Sequence, residues 1–149
     1  MIDSFNIRVY ALIINGNTDI LLADEIFRGI RMTKFPGGGL KFGEGTLECL
    51  RREAMEEFGQ ELKITGHFYT TDFFQKALFN ENHQLISIYY MAEFVTPISF
   101  KTSDKPYDFK GDGDQQSFRW KPIRLLSAAD LTFPVDQKVA DMLRDLYAR

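Results

Sequence analysis

The chain has 149 residues, 44% of them hydrophobic and 26% charged, and a formal net charge of −3. That hydrophobic share excludes a disordered chain, the length points to a single domain over residues 1–149, and the acidic balance argues against stable nucleic-acid binding. No apolar run is long enough to span a bilayer, the opening lacks a signal-peptide pattern and the single Cys49 has no disulfide partner, so no membrane association and a cytoplasmic location are expected.

Near the start, Ile7, Val9, Ala11 and Ile13 alternate with Arg8, Tyr10, Leu12 and Ile14, the pattern of a largely buried strand. Asn15-Gly16-Asn17 signals a turn and Ile20–Ala23 a returning strand. Thr33–Pro36 reads as a short extended piece running into Gly37-Gly38-Gly39, which a regular element does not favour. Thr46–Phe58 is the clearest helix. Leu47, Leu50, Ala54 and Phe58 fall on one apolar stripe, Thr46 can cap the start through its hydroxyl, and Gly59 suits the position past the end. Further strands are expected at about residues 63–71, 85–95 and 117–123, with Ser87–Phe94 central. Thr102–Gln116 is polar and reads as a long loop between strands. Pro134–Tyr147 is a second helix, with Pro134 in its first turn and Val135, Val139, Met142 and Leu146 on its buried side. Strands interleaved with two helices predict the α/β class, a mixed sheet covered by helices on both faces.

The acidity is local. Residues 44–61 hold Glu44, Glu48, Glu53, Glu56, Glu57 and Glu61 against Arg51 and Arg52, a charge of −4, so the other 131 residues sum to +1. Glu53, Glu56 and Glu57 stand at i, i+3 and i+4 and share one helix face, where like charges cost a few tenths of a kcal/mol per pair. A cation is the obvious counterweight, and Mg²⁺ is a hard ion that takes carboxylate oxygens and keeps waters for a substrate phosphate. Just before this helix, Gly37, Gly38 and Gly39 allow close approach of backbone to an anionic ligand.

Gly38, five residues, Glu44, seven residues, then Arg52-Glu53-Ala54-Met55-Glu56-Glu57-Phe58-Gly59 resembles the signature of the Nudix hydrolases, G-x5-E-x7-R-E-u-x-E-E-x-G-u with u apolar. All seven fixed positions match; Ala54 is small for its position and Gln60 is polar at the last apolar one. The resemblance implies an α/β/α sandwich and divalent-metal-dependent hydrolysis of the pyrophosphate link in a small-molecule nucleoside diphosphate derivative, either a nucleoside triphosphate or a nucleotide sugar. It implies that Glu53, Glu56 and Glu57 bind Mg²⁺, with Mn²⁺ as an alternative, that Arg52 orients a glutamate, and that Glu44 stabilises the loop–helix junction or assists water. Gly38 would shape the loop beside the phosphates. The general base is left between a helix glutamate, Glu93, and Asp108, Asp112 or Asp114 of the polar loop; Glu93 ranks first because a strand places a side chain more rigidly than a loop.

Other residues have plainer readings. Asp112-Gly113-Asp114 is a turn, since the calcium-loop pattern is incomplete. Arg28 is a candidate for substrate phosphates, with Arg31 and Lys34 behind it, against simple surface solvation. His67 and His83 are isolated. The 14 Phe and six Tyr exceed what a small core needs, and the surplus is compatible with base stacking or a homodimer contact. Two other readings share the fold: a nucleotide-binding module that does not turn over its ligand, and a diphosphate isomerase. The intact carboxylates argue against the first, and Cys49 inside the helix is a poor match to the reactive cysteine the second requires.

Overall fold

Ser4–Asn15 forms strand β1, in which Val9 to Ile13 are buried. In the computed structural model, which describes residues 1–148, β1 is followed by β2 (Asp19–Phe27), β3 (Ile30–Lys34), β4 (Gly37–Gly39), α1 (Thr46–Phe58), β5 (Leu62–Thr70), β6 (His83–Phe94), β7 (Gln115–Pro122) and α2 (Pro134–Tyr147). Two short 3-10 turns, Ile123–Leu125 and Ala128–Asp130, lie between β7 and α2. Strands with two helices make up the expected α/β class. Contacts along the backbone group the chain into two units, Met1–Leu12 with Gly37–Ile98 and Ile13–Pro36 with Ser99–Arg149.

In the first unit the strand order is β4, β1, β6, β5, so β6 is central, as its Ile- and Tyr-rich sequence predicts. The triglycine is the main departure. It forms β4, antiparallel to β1 with Arg8 opposite Gly39, Val9 opposite Gly38 and Tyr10 opposite Gly37. A bare strand is favoured at two of its three positions, where a side chain would collide: a Cβ on Gly37 would run into the Val9 carbonyl, and one on Gly38 into the Glu53 carboxylate as it is placed. Here the close approach of neighbouring atoms outweighs the entropic cost of ordering glycine.

α1 lies against β4 and β5 and has the bounds its periodicity predicts. Its ends differ in outcome. Gly59 closes it in a left-handed conformation, φ 65°, and its N–H donates to the Met55 carbonyl. At the start, the cap is Gly45, not Thr46. Gly45 donates its N–H to Glu48 Oε1 at 3.1 Å, while the Thr46 hydroxyl bonds the Tyr90 hydroxyl at 2.7 Å. The buried face is Cys49, Leu50, Ala54 and Phe58, with Cys49 in place of the expected Leu47, which is exposed. Gln60 is buried with its Nε2 donating to Thr96 Oγ1 and to the Pro97 carbonyl, both at 2.9 Å, which explains a polar residue at an apolar position.

In the second unit β2 pairs with β3 and, from Asp19 to Ile26, with β7. The β1–β2 turn places Gly16 and Asn17 at φ 62° and 58°, the primed geometry that matches strand twist. α2 has the predicted bounds, with Pro134 in its first turn, and packs on the 3-10 turns. Its buried side is Val135, Asp136, Val139, Ala140 and Leu143; Leu146 is exposed and Met142 only half-buried, so the stripe is rotated from the expected one. The interior also holds an ion pair: Asp24, wholly buried, accepts from Arg119 Nε at 2.7 Å and from the Thr33 hydroxyl at 2.7 Å. Because Thr33 spends its proton on Asp24, the Tyr107 hydroxyl must donate to Thr33 Oγ1, at 2.8 Å, and this pins the polar loop. No helix among the described residues is long and apolar enough to cross a membrane.

Removing one partner of a buried ion pair leaves a charge without compensation. Arg119→Met is expected to lower unfolding stability by about 3–5 kcal/mol, read as a fall in the urea midpoint at unchanged slope. A loss below about 1 kcal/mol would contradict the role of the pair.

Candidate functional site

The site is built within the first unit from β4, the turn after it and α1. Gly43, at φ 87°, turns the chain between β4 and the helix, and Glu44 closes the turn by accepting the Lys41 N–H on Oε1 at 2.9 Å. Arg52 is then six residues into α1, nearly two turns, facing both the turn and β4. Its guanidinium has five N–H donors in a planar fork, and nearly all of them find an acceptor.

The pair with Glu44 is bidentate, Nε to Oε2 at 3.0 Å and Nη2 to Oε1 at 2.8 Å. Nη2 also donates to the Gly39 carbonyl at 3.0 Å, and Nη1 donates to Glu53 Oε1 at 3.0 Å. Glu56 receives longer bonds from Nη1, 3.3 and 3.4 Å, and its side chain is 54% exposed. One cation thus ties the turn, β4 and the helix carboxylates together. Its hydrogen bonds, with help from the Lys41 N–H, bring the Glu44 carboxyl down to about 2. Glu53 is held with its carboxylate under Gly38, where only glycine leaves room. Glu57 follows one turn later on the same face, with Oε2 shielded from solvent.

Cys49 is fully buried. Its thiol donates to the Gly39 carbonyl at 3.6 Å, and burial, reinforced by the Glu44 charge, pushes it up to about 11. A thiol held protonated in this way is a poor nucleophile, so Cys49 does not meet the isomerase reading's requirement for a reactive cysteine. The sequence pattern did not reveal that Cys49, Arg52 and Gly39 meet, because β4 was expected to be a loop.

Other expected site residues lie elsewhere. Glu93 is exposed on β6 and paired with Lys63 at 3.7 Å. Its neighbour Phe94 meets Phe58 of α1 edge-on, so by strand alternation Glu93 points to the opposite face, away from the α1 carboxylates. Arg28 belongs to the second unit, in the β2–β3 turn at φ 52°; its N–H donates to Asp114 Oδ1 at 3.0 Å and its guanidinium lies 5.0 Å from the Phe27 ring centre. Asp108 accepts from the Ser103 hydroxyl at 2.6 Å, which holds its carboxyl below the usual range, and Asp112 is an exposed loop residue.

Among the described residues no group of three or more His, Cys, Asp or Glu side chains converges as a cation site. The donor chemistry itself fits a hard divalent ion: three carboxylates on one rigid helix face, two of them held by a single guanidinium.

Comparison with known proteins places the chain. The NUDIX domain model matches residues 4–144, and the chain belongs to this family. Nudix hydrolase 6 of Arabidopsis thaliana is 32% identical over 127 residues, which is 80% of this chain and 40% of that protein; the chain therefore spans well under half the length of that relative. Among solved structures, the E. coli ORF135 protein superposes with a TM-score of 0.71 at 17% identity, covering 97% of this chain and 92% of that one. A NUDIX hydrolase from Nitrosomonas europaea gives 0.66 at 22% identity, covering 97% and 90%. The MutT protein from Methanosarcina mazei Go1 gives 0.67 at 19%, covering 100% and 96%. At these identities the structures establish a shared fold.

Glu44 also yields a prediction about pH. Its carboxyl is lowered from an ordinary 4.5 to about 2, so the stability it adds is fully present above pH 4.5 and is lost as pH falls toward 2. Glu44→Gln is expected to be less stable than the parent by a constant margin above about pH 4.5, with the margin shrinking below it. Denaturation midpoints from pH 2 to 7 check this; a margin independent of pH would rule out the linkage.

Proposed function

We propose that residues 1–149 act as one catalytic domain that hydrolyses the pyrophosphate link of a nucleoside diphosphate derivative, a nucleoside triphosphate or a nucleotide sugar, with the help of a divalent metal ion. The observation that carries this reading is the Arg52 hub, which holds the Glu53 carboxylate beneath a strand without side chains and fixes the turn leading into the helix. Membership of the NUDIX family supports it, as does the name of the Arabidopsis relative, a Nudix hydrolase.

Glu53, Glu56 and Glu57 are the residues that would hold Mg²⁺, or Mn²⁺ in its place. Such an ion, when bound, supplies Lewis-acid neutralisation of phosphate charge and makes water more acidic. The remaining work belongs to the chain. Of the three glycines expected to meet substrate, Gly39 is the one that leaves room for an anionic group against backbone, since the Val9 carbonyl fills the space at Gly37 and the Glu53 carboxylate that at Gly38. Arg52 restrains Glu53 and Glu56 at the same face, and Glu44, charged across the physiological range, restrains Arg52. For the proton acceptor we favour a helix glutamate over Glu93, which faces Lys63 away from α1, and over Asp108, whose lowered carboxyl is a weaker base.

The test is a panel of nucleoside diphosphate derivatives with Mg²⁺ or Mn²⁺, reading both products. Metal-dependent cleavage at the phosphoanhydride is expected, and Glu57→Gln should lower kcat by about 10²-fold or more with the fold intact by circular dichroism. An unchanged rate at saturating Mg²⁺ would remove the role assigned to Glu57. Tight nucleotide binding with no turnover across the panel would favour a sensing module instead.

A further inference from the structure

The pleat of β4 separates two opposite charges by backbone alone. Consecutive residues of a strand point to opposite faces. A Cβ on Gly38 would strike the Glu53 carboxylate, whereas one on Gly39 would stand 3.5 Å from Arg8 Nη1. Arg8 is opposite Gly39 in the β1–β4 register, so its guanidinium lies beside the glycine strand on the face away from Glu53.

Arg8 is also supported. Its Nε donates to the Tyr10 hydroxyl at 3.3 Å, and its guanidinium carbon is 5.9 Å from the Tyr10 ring centre. Tyr10 is buried and stacks on Tyr89 at 5.2 Å, so the aromatic that aims the arginine is itself immobilised. The result is a half-buried cation, aimed by a rigid aromatic, at the margin of a three-residue strand that pairs with β1 and no other strand among the described residues.

We propose that Arg8 is a substrate-binding residue, taking a phosphate oxygen of the phosphoanhydride substrate across β4 from the α1 carboxylates. This rests on the hydrolase reading above. A guanidinium matches phosphate in charge and in the spacing of its donors. The acidic stretch repels a polyanion, and Arg8 supplies attraction on the face where Glu53 does not point. The glycine strand makes this geometry available, because a side chain at Gly39 would stand 3.5 Å from Arg8 Nη1, in the space beside the guanidinium that the phosphate is to enter.

The experiment is titration calorimetry of inorganic pyrophosphate with Mg²⁺ into the intact chain and the variants Arg8→Gln, Arg8→Lys and Tyr10→Phe, with thermal unfolding of each. Arg8→Gln is expected to weaken binding about tenfold or more, and Arg8→Lys and Tyr10→Phe less. With a substrate from the panel, Arg8→Gln should raise KM by a similar factor while kcat changes far less. A folded Arg8→Gln protein that binds pyrophosphate as the parent does overturns the proposal and leaves the hydrolase reading standing, provided the parent turns over the panel. A parent that neither binds pyrophosphate nor cleaves any panel member overturns both. If Arg8→Gln fails to fold, Arg8→Lys decides, with unchanged affinity and unchanged KM counting against Arg8.

Discussion

One arginine organises the acidic end of the first unit. Glu44, Glu53 and Glu56 would repel one another as neighbours on a turn and a helix face, and Arg52 reaches all of them with a single charge. The bond to Glu44 crosses from helix to turn, and the bond to the Gly39 carbonyl crosses from helix to β4. A lysine could offset the charge, yet its point-like ammonium could not span two Glu44 oxygens, a carbonyl and Glu53 at about 3 Å each. The planar fork is what converts a cluster of repelling carboxylates into an ordered one.

The glycines complete that constraint from the other side. α1 approaches β4 closely enough that the Glu53 carboxylate occupies the space where a side chain at Gly38 would be. Gly37 is fixed by a different neighbour, the backbone of β1 at the Val9 carbonyl, where its φ of 155° also favours glycine. The same economy of space buries Cys49 against Gly39 and keeps its thiol protonated near neutral pH.

The second unit solves a similar electrostatic problem in a dry setting. Asp24 is enclosed, and it is satisfied by Arg119 and Thr33, with Tyr107 extending the chain of hydrogen bonds into the polar loop. A long loop rich in Asp is thereby held at one aromatic residue, with Arg31 stacked on the Tyr107 ring at 5.3 Å. The surface Asp residues of this loop look catalytic as a list of letters. In the fold, Asp108 accepts from nearby Ser103, and Asp114 accepts from the Arg28 N–H of the β2–β3 turn.

Local features of the chain determined a good deal. The 3.6-residue period set both helices, Gly59 set the end of α1, and the seven signature positions identified the family, because each of these depends on residues a few positions apart. The carboxylate face was likewise legible, since i, i+3 and i+4 spacing is a property of the helix alone. Tertiary structure decided what depends on distant neighbours. Thr46 gave its hydroxyl to Tyr90, 44 residues away, and left capping to Gly45; Leu146 faced water because the buried stripe of α2 was rotated from the expected one. The triglycine became a strand only because β1 and Glu53 came against it, and Glu93 was turned from the site by the pairing of β5 with β6, whose alternation sends adjacent side chains to opposite faces.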